Sequence, residues 1–178
     1  LKNDRKKILL HICCGVCALH SIAYLKDKGY YIQALFYNPN ITPAEEYNRR
    51  LFACQTVCEL NDIALTEGNY DDQQWNKACG GYINEPEGGR RCALCFEFRL
   101  AYIFSECINR HSDFFTTTLT ISPHKKSSII FDIGKRIGRD KFLAIDFKKA
   151  DGFKKSIALA KEHNIYRQKY CGCLSSFR

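Results

Sequence analysis

Lys7-Ile8-Leu9-Leu10-His11-Ile12-Cys13-Cys14-Gly15-Val16-Cys17 is a short apolar run that ends in three cysteines around a glycine. The apolar part is too short for an ordinary helix and reads as a buried strand, with a cysteine loop at its C-terminal end. Residues 18–28 then place Leu19, Ile22, Ala23 and Leu25 at helical spacing and stop at Gly29. Residues 31–37 form a second apolar strand, closed by the turn-forming Asn38-Pro39-Asn40. Strand, loop, helix and strand make a βαβ unit, the building block of a parallel sheet covered by helices.

The pattern continues outward. Thr42 is placed to cap a helix with Pro43 at its first position, running to about residue 61. Residues 63–66 read as a short strand, and residues 68–91 as a polar, glycine-rich connection with a weak helical stretch around Trp75. A helix over 93–109, a strand over 114–119, a helix from Ser122-Pro123 to about Gly138, a strand over 142–145 and a helix over 153–163 complete the domain. A tail of about residues 166–178 follows. We expect one α/β domain over 1–178, with a mostly parallel sheet and helices on both faces. Ligands of such sheets sit beyond the carboxyl ends of the strands. The Cys13 loop, Thr116-Thr117-Thr118 and Asp146 all fall at that edge.

The chain has 178 residues, enough to bury a core without covalent staples. No apolar run is long enough to span a membrane, and nothing reads as a signal peptide. The absence of methionine, with Leu1 first, leads us to expect a natural start slightly upstream. Eleven cysteines without secretory signals point to a reducing cytoplasm and to metal or redox chemistry rather than a disulfide framework. Residues 124–178 carry a net charge of +9 and the remainder −1. A basic C-terminal third fits a polyanion such as RNA, or equally a set of solvated helix faces.

Seven cysteines fall into three groups: Cys13, Cys14 and Cys17 in CCxxC, Cys92 and Cys95 in CxxC, and Cys171 and Cys173 in CxC. Gly15 suggests an unusual backbone that points adjacent thiolates at different targets. Buried small residues or a thioredoxin-like redox pair are the alternatives for this group. Cys92 and Cys95 lie beside Arg90 and Arg91 at a helix start, whose dipole favours thiolate. Seven thiolates exceed the four that one zinc ion needs, and a four-iron cluster with a second metal would use them all. Zinc with spare cysteines is the other reading. Cys54 and Cys58, four apart on one side of a helix, could ligate metal but read better as a core stripe, and Cys79 and Cys107 are read as structural. Of the histidines, His11 reads as a packed strand residue and His20 as a helix-surface one. His124, beside Lys125 and Lys126, is a candidate proton donor or phosphate contact; Asp146 is a second candidate proton donor by position.

Further motifs run in order along the chain: Leu9-Leu10-His11-Ile12-Cys13-Cys14, Tyr37-Asn38-Pro39-Asn40-Ile41 with Glu46-Tyr47, and Glu85-Pro86-Glu87-Gly88-Gly89-Arg90-Arg91-Cys92. They continue through Phe115-Thr116-Thr117-Thr118-Leu119, Ile121-Ser122-Pro123-His124-Lys125 and Asp146-Phe147-Lys148-Lys149, and close on Tyr166-Arg167-Gln168 and Tyr170-Cys171-Gly172-Cys173. Over essentially its whole length the chain resembles the small, cobalamin-independent epoxyqueuosine reductases of the QueH type. The resemblance implies a Rossmann-like (HUP-like) fold and removal of the epoxide oxygen from a modified guanosine at the tRNA wobble position. It also implies a four-iron–four-sulfur cluster beside a single iron. By analogy the cluster falls to Cys14, Cys92, Cys95 and Cys171, and the second iron to Cys13, Cys17 and Cys173. Position 17 is cysteine here where some relatives have aspartate.

The same resemblance implies an external one-electron donor and a tRNA anticodon stem-loop as partners. No glycine-rich nucleotide loop stands at Cys13 to Cys17, so ATP use is not implied. Tyr37, Trp75 or Tyr170 could stack on the unstacked base, and the pairs Lys148/Lys149, Lys154/Lys155 and Arg167/Lys169 could hold phosphates. Two readings compete: a thiol or heterodisulfide reductase, which would not need tRNA, and a zinc-binding RNA module, which would be colourless.

Overall fold

The computed structural model describes residues 5–176. Four strands, β1 Lys7–Ile12, β2 Tyr31–Phe36, β3 Leu65–Glu67 and β4 Phe114–Thr117, form one sheet in the order β3-β2-β1-β4, and every pair is parallel. Ile8 pairs with Ile32 and Phe114, and Ile12 with Phe36. The central strand β1 is buried from Ile8 to Ile12, which explains its apolar run, broken only by His11: both faces are covered.

On one face α1 Gly15–Asp27, α2 Ala44–Glu59 and α6 Gly152–Glu162 pack over Ile8, Leu10 and Ile12, with Ile22, Leu25, Val57, Cys54 and Cys58 in the same core. On the other, α4 Arg90–Asn109 and α5 Ser127–Gly138 bring Leu100, Ile103, Cys107 and Ile130 against Leu9 and Phe115. Each such aliphatic side chain, fully buried, contributes about 1.5–3 kcal/mol of transfer free energy. Cys54, Cys58 and Cys107 thus occupy core positions. No helix is long and apolar enough to cross a membrane.

His11 is the polar exception within β1. Its Nε2 lies 3.0 Å from the Tyr37 carbonyl, which can only accept, so that nitrogen carries the proton. Nδ1 then accepts from the Thr117 hydroxyl at 2.8 Å. Burial, reinforced by the Arg99 charge, pushes its pKa down to about 4, so it is neutral.

Several expected boundaries move, each for a local reason. Pro43 is the N-cap of α2, and Thr42 does not cap it: its N–H donates to the Gly172 carbonyl at 3.0 Å and its carbonyl accepts the Tyr170 hydroxyl. Residues 72–79 form a full helix, α3 Asp72–Cys79, capped by Asp71. Helix α4 starts at Arg90, three residues early, which brings Cys92 into its first turn. Strand β4 stops at Thr117, whose hydroxyl accepts from the Leu119 N–H and opens a 3-10 turn. The helix expected at Ser122-Pro123 begins at Ser127, because a turn from Ser122 O to Lys125 N occupies the intervening residues. The strand over 142–145 reduces to a bridge between Phe115 and Phe142. There the Thr116 and Thr120 hydroxyls take the Leu143 and Ile145 carbonyls, at 2.8 Å each, in place of a ladder.

The strand order reverses direction between β1 and β4. That switch point opens a crevice at the carboxyl edge of the sheet, and both the Cys13 loop and Thr117-Thr118 stand on it.

Candidate metal centre

The loop after β1 is held by its neighbour strand. Thr118 Oγ1 accepts the Cys13 N–H at 3.1 Å and donates to Cys13 Sγ at 3.3 Å. Cys14 is the N-cap of α1, its sulfur accepting the Cys17 N–H at 3.4 Å. The three sulfurs of Cys13, Cys14 and Cys17 lie within 4.8 Å of one another, a spacing that suits metal ligation. Hydrogen bonds from the Cys14 and Cys17 thiols hold the Cys13 pKa well below the ordinary thiol value, outweighing burial. The same hydrogen bonds, made to Cys13, push Cys14 up to about 12 and Cys17 well above the ordinary value. A metal ion would displace those shared protons.

Gly15 serves a different purpose from the one its sequence context suggests. It is the first residue of α1 and has no left-handed backbone. A Cβ there would stand 2.8 Å from the Ala53 carbonyl oxygen of α2, so glycine permits close helix contact behind the loop. Gly172 does need glycine conformationally, at φ +138°.

The second thiol group forms where α4 meets the tail. Cys92 is half-buried and accepts the Gly88 N–H at 3.2 Å, while burial raises its pKa. Cys95, one turn on, is buried and clusters with Cys173, Cys79 and Trp75. Burial raises the Cys95 thiol and the Arg99 charge opposes it. Arg50 positions the tail by donating to the Cys171 and Tyr170 carbonyls at 2.9 and 3.0 Å, and is itself paired to Glu46 at 2.7 Å. Cys92, Cys95, Cys171 and Cys173 do not close into a group as tight as the first trio among the described residues.

A cleft of about 320 Å³ has Cys13, Cys17 and Cys171 in its wall together with Arg99 and Lys125. Arg99 is 2 % exposed, and its charge acts on Cys95, Cys171 and Cys13 alike. The Lys125 ammonium is raised in pKa by Cys171, Cys13 and Cys17, which outweigh its burial. Neither cation has a carboxylate partner within ion-pair distance among the described residues. His124 lies on the same cleft and is exposed. Asp146 does not. It accepts the Ser127 hydroxyl at 3.0 Å, pairs with Lys148 at 3.8 Å, and faces a separate depression beside His20 and Tyr24. His20 is half-buried there against α6, less exposed than a helix-surface residue.

The aromatic and basic candidates divide. Tyr37 is 4 % exposed and stacked on Tyr102 at 3.7 Å, and Trp75 is 4 % exposed in the Cys95 cluster, so neither ring can receive a base. Tyr170 lies on the cleft with the Arg50 guanidinium 5.1 Å from its ring centre. Lys148 is engaged with the Lys125 carbonyl and Ser127 hydroxyl, and Lys154 with Asp151, while Arg167 and Lys169 are exposed at the rim. Sequence reasoning missed Asn38, Arg50 and Arg99 as parts of this site. Their signal is burial, since Arg99 follows Cys92 and Cys95 in phase on the inward face of α4.

The fold is similar to that of a predicted tRNA methyltransferase subunit from Methanocaldococcus jannaschii, with a TM-score of 0.61 at 15% identity over 88% of this chain and 75% of that one. It is also similar to the U34-tRNA thiolase NcsA from Methanococcus maripaludis, with a TM-score of 0.52 at 15% identity over 92% of this chain and 58% of that one. In sequence, the chain is 37% identical to an epoxyqueuosine reductase QueH from Streptococcus pyogenes over 97% of its own length and 71% of the relative's. It is 35% identical to the enzyme of that name from Thermotoga maritima over 95% and 89% of the two chains. The family model for epoxyqueuosine reductase QueH matches residues 8–178, so this chain, with its thiol-lined cleft at the switch point of a parallel sheet, belongs to the epoxyqueuosine reductase QueH family.

Proposed function

We propose that the cleft between the Cys13 loop and the tail is where this epoxyqueuosine reductase completes queuosine synthesis on tRNA, and that its thiols hold iron. The observation that carries this reading is the Cys13/Cys14/Cys17 trio, within 4.8 Å at the switch point and walled in with Cys171, Arg99 and Lys125. A purely soft donor set beside unpaired cations fits a thiolate-ligated, anionic metal group. Cys14, Cys92, Cys95 and Cys171 would hold a four-iron–four-sulfur cluster, and Cys13, Cys17 and Cys173 a single iron. When bound, these groups supply one-electron transfer and Lewis acidity, drawing electrons singly from an external donor.

The chain's own residues do the rest. The reaction consumes two electrons and two protons and releases water as the epoxide becomes an alkene. Thr118 fixes the Cys13 sulfur, and Lys125 holds a proton at Nζ facing the cleft. His124, exposed at the mouth, is a second proton source. Tyr170 offers a ring to the unstacked nucleoside, and Arg167 and Lys169 at the rim offer charge to the phosphates of the anticodon stem-loop. Asp146 supports the site from outside it: it anchors Lys148, which in turn donates to the Lys125 carbonyl at 2.9 Å.

The test is anaerobic purification followed by an absorption spectrum and iron and sulfide analysis. The reduced protein is then assayed for conversion of epoxyqueuosine-containing to queuosine-containing tRNA. Brown protein with iron, sulfide and conversion is expected. A colourless, zinc-only protein would overturn the metal assignment.

A further inference from the structure

Arg99 is a buried guanidinium with no carboxylate partner among the described residues. It is 2 % exposed, and its partners are neutral: Nε donates to the Cys95 carbonyl at 3.4 Å and Nη1 to the Asn38 amide oxygen at 3.2 Å. Nη2 is buried with no hydrogen-bond partner among the described residues. Glu87, on the wall of this cleft, is exposed and makes no ion pair among the described residues. An uncompensated buried charge destabilises the folded state. Such a position persists when a permanent anion faces it. The groups within range of that charge are the sulfurs of Cys95, Cys171 and Cys13, all soft donors able to hold such an anion.

The geometry also makes Arg99 common to both thiol groups. It lies one turn beyond Cys95 on α4, and through Asn38, whose amide donates to the Ile12 carbonyl at 2.9 Å, it reaches the residue before Cys13. We propose that Arg99 is the fixed counter-charge of the sulfur-ligated cluster, keeping Nη2–H for one of its sulfurs and raising its reduction potential. The reason is electrostatic. Reduction adds one negative charge to the cluster, and a buried cation at low effective dielectric stabilises the reduced form more than the oxidised one. Arg99 is thus a positioning residue, acting through the metal group and not on the nucleoside.

This rests on the iron reading given above, and the experiment separates the two. Wild-type protein, Arg99→Gln and Arg99→Lys are purified anaerobically, assayed for iron and sulfide, and titrated with dithionite while the reduced-cluster EPR signal is followed. Wild-type protein without iron and sulfide would sink the iron reading itself. Given a loaded wild type, Arg99→Gln should be harder to reduce by at least tenfold, about 59 mV for a one-electron couple, with Arg99→Lys close to wild type. Loss of cluster in Arg99→Gln with retention in Arg99→Lys also supports the proposal, since charge is what the two variants differ in. A wild-type midpoint in Arg99→Gln, an equal shift in both variants, or equal cluster loss in both overturns it and leaves Arg99 as a strut for Asn38.

Discussion

Arg99 Nη1 and Asn38 Oδ1 are 3.2 Å apart inside the protein, and this hydrogen bond ties helix α4 to the loop that carries Cys13. The Asn38 amide uses both ends, accepting from the guanidinium and donating to the Ile12 carbonyl at 2.9 Å. Asn38→Ala removes both partners and leaves two buried polar groups unsatisfied. It should cost about 1–3 kcal/mol in anaerobic urea unfolding and lower iron content per chain. Unchanged stability would mean that the link carries no strain-bearing role.

Gly15→Ala tests the close approach behind the trio. The added methyl meets backbone of α2, at 2.8 Å from the Ala53 oxygen, and cannot be relieved by a side-chain rotation. A loss of about 1–3 kcal/mol and poor metal loading are expected, read by thermal unfolding and iron analysis. Gly172→Ala adds backbone strain at φ +138° to a 2.8 Å approach to Asn40, and should impair loading by misplacing Cys171 and Cys173.

How far the sequence carries the reader is visible in these residues. The β1 run, the cysteine loop, α1 and β2 are legible because burial on both faces forces an apolar strand and the edge rule then locates the site. The family motifs name the chemistry. Arg99 and Arg50 are not legible, because an arginine on a helix reads as solvated until its neighbours are placed in space. Nor is the loss of the 142–145 strand, since threonine hydroxyls satisfy its carbonyls from residues more than twenty positions away. Trp75 and Tyr37 are offered as stacking rings by the resemblance, and only packing shows their faces to be covered.

The cysteines divide into ligand candidates and packing residues, and substitution separates them. Cys92→Ser should lower iron per chain and abolish conversion while leaving the far-UV circular dichroism unchanged. Cys58→Ala, in the α1/α2 core, should keep wild-type iron stoichiometry and lose about 1 kcal/mol of stability from the small cavity. Loss of iron in Cys58→Ala would move that residue out of the core set.

One pH dependence has a worked sign. Asp113 accepts the Lys7 N–H at 2.8 Å and stands 3.6 Å from Lys6, and these interactions, the backbone bond first, hold its carboxyl below the ordinary value. The unfolded chain therefore takes up this proton first as pH falls. The contribution is present above the unfolded value of about 3.9 and is lost as pH drops through the lower folded value. Asp113→Asn should be less stable than wild type near neutrality, with the difference vanishing in acid; equal acid-unfolding curves would remove the interaction from the stability of β1 and β4.

The C-terminal tail is held by protein as well as by its proposed metal ligands. Glu46 and Arg50 form a pair that is almost wholly buried, Arg50 takes two tail carbonyls, and the Tyr166 hydroxyl donates to Glu46 at 2.7 Å. Arg50→Met leaves Glu46 buried without its cation, a change that costs about 3–5 kcal/mol where such pairs have been broken. The expected result is trypsin cleavage at Arg167 and Lys169 at least tenfold faster than in wild type, with iron content reduced. Stripping metal from the wild type with a chelator should speed cleavage less, because the Arg50 clamp survives. If chelation alone released the tail as fully as Arg50→Met, the metal and not the clamp would be what orders Cys171 and Cys173.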